Sequence, residues 1–179
     1  MYLYVKIGRG MDRAASAAEQ WACERPDLDT RPMVLLGRLG EAALLIARDR
    51  LNPLFAEFGL QPGEFDVLAT LRRSGAPYAL SPTALYEAAM ISSGSMTNRI
   101  DRLEKAGFVE RRPNPADKRG TLVALTGHGL ALIERAVEAH VANQQSIVRG
   151  LDDREQGQLA ALLSKLIQSQ QNADGIRKP

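Results

Sequence analysis

The segment at residues 91–126 constrains the fold of this 179-residue chain more than any other part of it. It reads ISSGSMTNRIDRLEKAGFVERRPNPADKRGTLVALT, and its first part predicts a helix over 92–106. Two strand-like runs follow, at 108–112 and 120–125, and a charged loop over 113–119 joins them. The expected centre of the fold is therefore a short helix followed directly by a hairpin with a basic loop.

Helical patterns also precede this segment. An alanine-rich run over 12–25 is followed by Pro26, which cannot continue a helix. The pattern over 33–58 is apolar nearly all round, and Pro53 is expected to kink it. A helix with little polar surface is buried on several sides, in a core or between subunits. A shorter helical pattern covers 63–73.

Further capping residues complete the outline. Ser81 and Pro82 are typical of an N-cap and a first helical residue, so a helix is expected from there to about Met90. Thr126 and Asp152 cap two C-terminal helices. The first of these carries an apolar stripe of Leu130, Ile133, Val137 and Val141. We predict a mainly α fold with a small β-hairpin wing: a winged helix-turn-helix flanked by N- and C-terminal dimerisation helices.

Composition excludes several classes of site. The single cysteine rules out an internal disulfide, and two histidines twelve residues apart match no metal spacing. We find no nucleophile and base signature and no phosphate-binding glycine loop, so no enzyme, cofactor or metal site is expected. No apolar run is long enough to span a bilayer, and residues 1–10 are too short in apolar length for a signal peptide. A cytoplasmic location is expected.

Charge and helical geometry favour DNA binding by the central segment. Net charge is only +2, but residues 99–120 carry seven basic against four acidic side chains. At about 100° per residue, Met96, Ile100 and Leu103 anchor the helix, while small polar and basic groups face outward to meet bases and phosphates. The predicted DNA-binding residues are Ser92, Ser93, Ser95, Thr97, Asn98, Arg102, Lys105, Arg112, Asp117, Lys118 and Arg119.

These assignments divide the chain into four segments. Residues 1–31 are an N-terminal extension with an added helix and linker, and 32–59 form a dimerisation helix. Residues 60–125 form the winged helix-turn-helix DNA-binding lobe, and 126–179 form the C-terminal dimerisation helices and tail. Arg119 suits a narrow minor groove, and Asp117 is expected to orient the loop or Arg119. The alternative is a solvated helix face and a plain exposed hairpin.

The central motifs resemble a known family. The segments SSGSMTNRIDRLEKAGFVERR, NPADKRG and VALTGHG are similar to those of the MarR family of bacterial winged-helix repressors, whose Asp-x-Arg wing motif matches Asp117 and Arg119. The resemblance covers about residues 33–167. It implies a homodimer, built through its terminal helices, that binds a pseudo-palindromic double-stranded DNA operator.

Other segments resemble the urate-responsive branch of that family. They are EQWACERPDLD, GEFDVLATLRRSGAPYALSP and SSGSMTNR. The resemblance implies a ligand site of Trp21, Asp66, Arg99 and Arg111. A tryptophan stacks well on a flat purine, and arginine donates paired hydrogen bonds to its oxygens. We therefore expect a repressor released from its operator by a small-molecule effector: urate or a related purine or phenolic anion.

Alternatives stay open at this stage. Trp21 equally suits packing of the added helix, Asp66 suits a solvated carboxylate, and Arg99 and Arg111 both suit phosphate contacts. Cys23 is a candidate for a redox-responsive repressor. A dimeric interaction module without DNA affinity is the alternative from a different class. His140 lies on the apolar stripe of its helix and is interpreted as a core residue with satisfied hydrogen bonds.

Overall fold

The computed structural model describes residues 12–89 and 96–175, apart from the side chains of 118, 119 and 173–175. The chain divides into two compact units, Met1–Pro53 and Leu54–Pro179. The division falls inside the segment 32–59. Within the described ranges, no helix is long and apolar enough to cross a bilayer.

The first unit is helical where it is described. Its elements are α1 (Arg13–Glu24), α2 (Arg31–Ile46) and a π-helical turn (Ala47–Leu51), which α3 (Asn52–Glu57) follows. Both predicted helices are confirmed, but the irregularity in the second is a π-helical turn just before Pro53. Proline lacks an N–H and its ring crowds the carbonyl four residues earlier, so a wider turn at this place accommodates it.

Contacts near the start of α1 hold the first unit together. The Asp12 carboxylate accepts a hydrogen bond from the Ala15 N–H at 2.9 Å and another from Arg38 Nε of α2 at 2.8 Å. Gly37 lies so close to α1 that a Cβ there would be 2.9 Å from the Ala14 Cβ. Among the described residues of this unit, Ala18 is the buried apolar side chain. The unit therefore has almost no core of its own.

The second unit contains the rest of the chain. After the last residues of α3 its elements are α4 (Glu64–Arg73), β1 (Ala79–Leu80), α5 (Pro82–Ala88), α6 (Met96–Lys105), β2 (Val109–Asn114), β3 (Asp117–Leu125), α7 (Gly127–Val148) and α8 (Asp153–Gly175). The Ser81, Thr126 and Asp152 side chains each accept a hydrogen bond from a backbone N–H in the first turn of the next helix, as predicted. The predicted fold class, mainly α with a small sheet, is confirmed.

The hairpin is longer than the sequence pattern predicts. The strands form an antiparallel sheet of order β1-β3-β2, and pairing continues to Asn114 and Asp117. The predicted loop over 113–119 is therefore wrong, and the turn is Pro115-Ala116. The Asn114 carboxamide oxygen accepts a hydrogen bond from the Ala116 N–H at 3.0 Å, which closes this short turn.

Mainly aliphatic side chains from α4, α5, α6, β3 and α7 form the core of the second unit. The most completely buried include Leu68, Leu71, Leu85, Leu103, Val123 and Ile133. On α7 the buried face is Leu132, Ile133 and Ala136, whereas Val141 is 46% exposed. Of the predicted stripe, Ile133 is fully buried and Leu130 and Val137 are half-buried, so the prediction is wrong only at Val141. Because α7 packs against α4 and β3, the face of α7 that is buried is rotated about the helix axis from the predicted apolar stripe.

Candidate functional site

Helix α6 presents two different sides. Met96, Ile100 and Leu103 are buried, as predicted, at 8%, 2% and 1% exposure. Thr97 and Asn98 are exposed on the first turn, with Arg102 and Lys105 exposed farther along. Three of the predicted DNA-binding residues, Ser92, Ser93 and Ser95, lie outside the described residues. The described turns of α6 therefore combine an apolar anchor with an exposed polar surface.

Arg102 is held by a carboxylate that the sequence reading did not single out. Its Nε lies 2.7 Å from Glu64 Oε1, and the Glu64 side chain is only 5% exposed, against 53% for Arg102. The other Glu64 oxygen accepts a hydrogen bond from the Gln61 N–H at 2.6 Å. The only sequence signal for this contact was a glutamate in the first turn of a largely apolar helix.

Ion pairs connect the base of the wing to α6. Arg111 of β2 binds the carboxylates of Asp101, at 2.6 Å, and of Glu104. The Glu104 carboxylate also accepts a hydrogen bond from the Arg111 N–H at 3.1 Å. Arg112 binds Glu110 of its own strand. Each arginine in this group is thus matched with acidic side chains close by.

The remaining wing residues lie at the hairpin end. Asp117 begins β3 and is exposed. Lys118 and Arg119 belong to the same strand, but their side chains are outside the described residues. Their predicted contacts with DNA stay predictions.

A second set of polar groups lies at the inner side of α6. We call Asp66, Arg73, Arg99 and His140 the polar cluster. Arg99 Nη1 and His140 Nδ1 are both buried and find no hydrogen-bond partner among the described residues. The prediction that His140 is a satisfied core residue is therefore wrong. A buried donor or acceptor without a partner costs stability, so these two atoms are candidates for contact with a bound ligand or water.

Close packing places Arg99 against the start of α4. Gly63 precedes that helix with φ of 82°, and a Cβ at this position would lie 2.6 Å from Arg99 Nε. Asp66 follows in the first turn of the same helix. Glycine is therefore required both by the left-handed backbone and by the guanidinium that lies over it.

Burial and charge act in opposite directions on the cluster. Burial raises the pKa of the Asp66 carboxyl above its ordinary value, although the positive charges of His140, Arg99 and Arg73 oppose this. Burial likewise lowers the pKa of His140, against the influence of Asp66. The Phe65 ring packs 4.6 Å from the His140 ring and stacks on Phe55 at 4.4 Å. The cluster thus combines aromatic walls with unpaired polar atoms.

The predicted ligand residues are only partly brought together. Asp66 and Arg99 interact within the polar cluster. Arg111 is engaged by the acidic side chains of α6. Trp21 belongs to the first unit, where it is 47% exposed on α1, and Cys23 on the same helix is an exposed thiol.

Arg73 was not among the predicted ligand residues. Its Nη2 donates to the Thr70 hydroxyl at 3.1 Å and to the carbonyl of Ala88. Its spacing of two helical turns from Asp66 was a signal that could have identified it. No group of three or more potential metal ligands occurs among the residues that the structure describes.

Known proteins with related sequences are regulators. The MarR family model matches residues 60–121. The chain is 46% identical over 148 residues to the HTH-type transcriptional regulator PecS of Dickeya dadantii, which covers 83% of this chain and 89% of that protein. It is 33% identical over 122 residues to the multiple antibiotic resistance protein MarR of Escherichia coli, with 67% and 83% covered.

Solved structures of the same fold agree with these relatives. A mutant MarR from E. coli complexed with operator DNA matches with a TM-score of 0.65 at 31% identity, covering 75% of this chain and 95% of that one. A MarR family regulator from Streptomyces coelicolor in complex with DNA matches with a TM-score of 0.70 at 25% identity, covering 84% and 91%. These proteins are transcriptional regulators rather than enzymes, which agrees with the sequence prediction. The chain belongs to the MarR family of winged-helix transcriptional regulators.

Proposed function

We propose that this protein is a ligand-responsive, DNA-binding repressor that acts as a homodimer. The observation that carries the proposal is the outer face of α6, where Thr97, Asn98, Arg102 and Lys105 are exposed on a helix anchored by buried apolar side chains. Small polar groups at the tip of such a helix suit base edges in a major groove, and cations farther along suit phosphates. Two structures of similar fold are complexes with DNA, which supports this assignment.

Binding of a labelled duplex tests the DNA part of the proposal. The duplex carries the region upstream of the protein's own gene, and a shuffled duplex of equal length is the control. We expect tighter binding to the first duplex and a steep loss of affinity as salt is raised. Asn98→Ala should reduce the preference between the two duplexes by about tenfold, since a good contact to a base edge contributes about 1–3 kcal/mol of discrimination. Equal binding to both duplexes at all salt concentrations would contradict an operator-binding role.

Exposed apolar side chains on the terminal helices support the homodimer. Leu35 and Leu44 of α2 are 63% and 60% exposed, and Leu162 and Ile167 of α8 are 66% and 55% exposed. On each of these helices, exposed apolar side chains of this number are typical of a face that a second protein covers. We expect Leu162→Glu to give a monomer by light scattering and to lose operator binding. Ser164→Glu, on the same helix, adds the same charge and is the control. A stable dimer of Leu162→Glu would contradict the use of this face.

The effector is proposed to bind at the polar cluster. Arg99 Nη1 is a buried donor without a partner among the described residues, and the apolar Phe55 and Phe65 rings pack against His140 of the same cluster. These properties suit urate or a related purine or phenolic anion, with Trp21 and Arg111 as further predicted contacts. An anion would repel the Asp66 carboxylate and draw Arg99, which is part of α6. The ligand would thereby favour a conformation with lower DNA affinity.

Titration with urate at fixed salt tests the effector. We expect urate to weaken operator binding, and salicylate and hypoxanthine serve as phenolic and purine comparisons. Arg99→Gln should abolish urate binding measured by calorimetry. Arg112→Gln also removes an arginine charge, but outside the polar cluster, and should leave urate binding intact. If urate binds neither the free protein nor its DNA complex, this effector assignment is wrong.

A further inference from the structure

Glu64 joins the beginning of α4 to the outer face of α6. Its side chain is 5% exposed, and each of its two oxygens has a different partner. One accepts a hydrogen bond from the Gln61 N–H, which ties the carboxylate to the segment just before α4. The other accepts from Arg102 Nε at 2.7 Å, across a sequence separation of 38 residues. The carboxylate is therefore held on one side and holds an arginine on the other.

Among the described residues, only the Nε of the Arg102 guanidinium is engaged in a hydrogen bond. Arginine carries donors on Nε and on both Nη atoms in a rigid planar fork. Glu64 engages Nε, while the Arg102 side chain is 53% exposed. A side chain held by its inner nitrogen has fewer rotamers to lose when its outer nitrogens meet a second acceptor. The geometry suits an arginine that presents its Nη–H donors to an oxyanion.

We propose that Glu64 is a positioning residue for DNA binding, which fixes Arg102 so that its Nη–H donors meet a phosphate of the operator backbone. The inference rests on the proposed DNA-binding function and adds a specific role to a buried acid. A carboxylate near DNA is ordinarily unfavourable, because it repels phosphate. Here that repulsion is outweighed by the orientation that Glu64 gives to Arg102.

Charge repulsion and positioning of Arg102 predict opposite changes in DNA affinity for the substitution Glu64→Gln. Glu64→Gln keeps the side-chain shape and removes a negative charge. If Glu64 acted only through its charge, this variant would bind DNA more tightly. Positioning predicts about tenfold weaker binding, the size expected for loss of a charge-assisted hydrogen bond. It also predicts a salt-dependence slope smaller by about 0.9 for each half-site, the effect of losing one phosphate contact.

A second glutamate provides the control. Glu134 of α7 binds Arg72 of α4 at 2.5 Å, so it also belongs to a Glu–Arg pair in which one partner lies on α4. Glu134→Gln removes the same charge without touching α6. We expect its operator affinity to equal that of the wild type or to exceed it, with an unchanged salt slope.

A conservative change of the arginine provides a second, independent test. Arg102→Lys retains the positive charge, but one ammonium group cannot hold Glu64 and a phosphate through separate nitrogens. We expect it to lose about as much affinity as Glu64→Gln, and the double variant to lose little more than either single one. Circular dichroism checks that each variant is folded. Arg102→Lys decides the question if Glu64→Gln does not fold.

The outcomes separate this inference from the proposed function. If the wild-type protein does not bind its operator, both fail. If the wild type binds and the variants Glu64→Gln and Arg102→Lys bind equally well or more tightly, the positioning role alone is overturned. Weaker binding by both variants, with a smaller salt slope and a normal Glu134→Gln control, is the result that supports it.

Discussion

The outer and inner sides of α6 differ in whether the polar groups there have hydrogen-bonding or ionic partners. On the outer side, Arg111 and Arg112 of the neighbouring strand β2 are about one third and one half exposed, and they bind acidic side chains of α6 and of β2 respectively. On the inner side, Arg99 Nη1 and His140 Nδ1 are buried and unpaired among the described residues. Around α6, charged groups are therefore paired where water is present, and polar atoms are left unpaired where water is excluded.

This difference separates two kinds of binding surface. An exposed ion pair contributes only about 0–1 kcal/mol, so its arginine can exchange a carboxylate for a phosphate at little cost. An unpaired buried polar group costs about 1–3 kcal/mol, so it is retained only where another interaction compensates. The outer side suits a large polyanion, and the inner side suits a small ligand that reaches the unpaired atoms.

The largest expected effect comes from the apolar residues that lie between the two sides. Leu103 is 1% exposed, and Leu103→Ala should lower the free energy of unfolding by about 3 kcal/mol. Both DNA binding and urate binding should weaken, because both surfaces depend on the seating of α6. Urea unfolding measures the loss, with Lys105→Ala on the exposed face as the control. A loss below about 1 kcal/mol would show that α6 is not seated in this core.

A glycine pair sharpens the description of the inner side. Gly63 and Gly59 both have positive φ, at 82° and 72°, but only at Gly63 would a Cβ meet Arg99. Alanine at either position should cost about 1–2 kcal/mol for the left-handed backbone. Only Gly63→Ala should also displace Arg99 and weaken urate binding measured by calorimetry. Equal urate affinity in the two variants would contradict the proposal that Arg99 contacts the ligand.

The pH dependence of stability offers a smaller test. Because burial raises the pKa of Asp66, the folded protein binds this proton more tightly than the unfolded chain does. Its ionisation therefore lowers stability as pH rises through and above the ordinary range near 4. At pH 7, Asp66→Asn should raise the melting temperature by about 1–2 °C, a small effect because solvent still screens the carboxyl.

This difference should disappear at pH 3, where the carboxyl is protonated in both states. Asp101→Asn, on the outer side, breaks a pair with Arg111 instead and should not stabilise the protein at pH 7. Thermal unfolding measures the stability of both variants. Equal stabilisation by the two substitutions would contradict the distinction between a buried carboxyl on the inner side and a paired one on the outer side.

The smallest effect on stability is expected at the wing. Arg112 and Glu110 are about half exposed, so Arg112→Ala should change the free energy of unfolding by no more than about 0.5 kcal/mol. Its operator affinity should nevertheless fall, with a salt slope smaller by about 0.9 for each half-site. Fluorescence anisotropy at several salt concentrations measures both quantities. An unchanged slope would show that this arginine does not meet phosphate.

Local patterns were sufficient to predict most of the fold. The spacing of Met96, Ile100 and Leu103 predicted the buried side of α6, since helical periodicity depends only on neighbouring residues. Ser81 and Thr126 were identified as caps for the same reason. The hairpin was predicted too short because Pro113 and Asn114 are disfavoured in strands, and pairing with β3 overrides that preference.

The sequence alone determined the order of the elements, the family motifs and the anchored face of α6, because these depend on residues a few positions apart. Only the tertiary structure decided which charges meet. It placed Glu64 under Arg102, Arg99 over Gly63 and His140 beside Phe65, pairs that lie 36 to 75 positions apart in the chain. Partner choice over such separations depends on helix packing, and a charged residue's type does not reveal whether it will be paired, buried or left for a ligand.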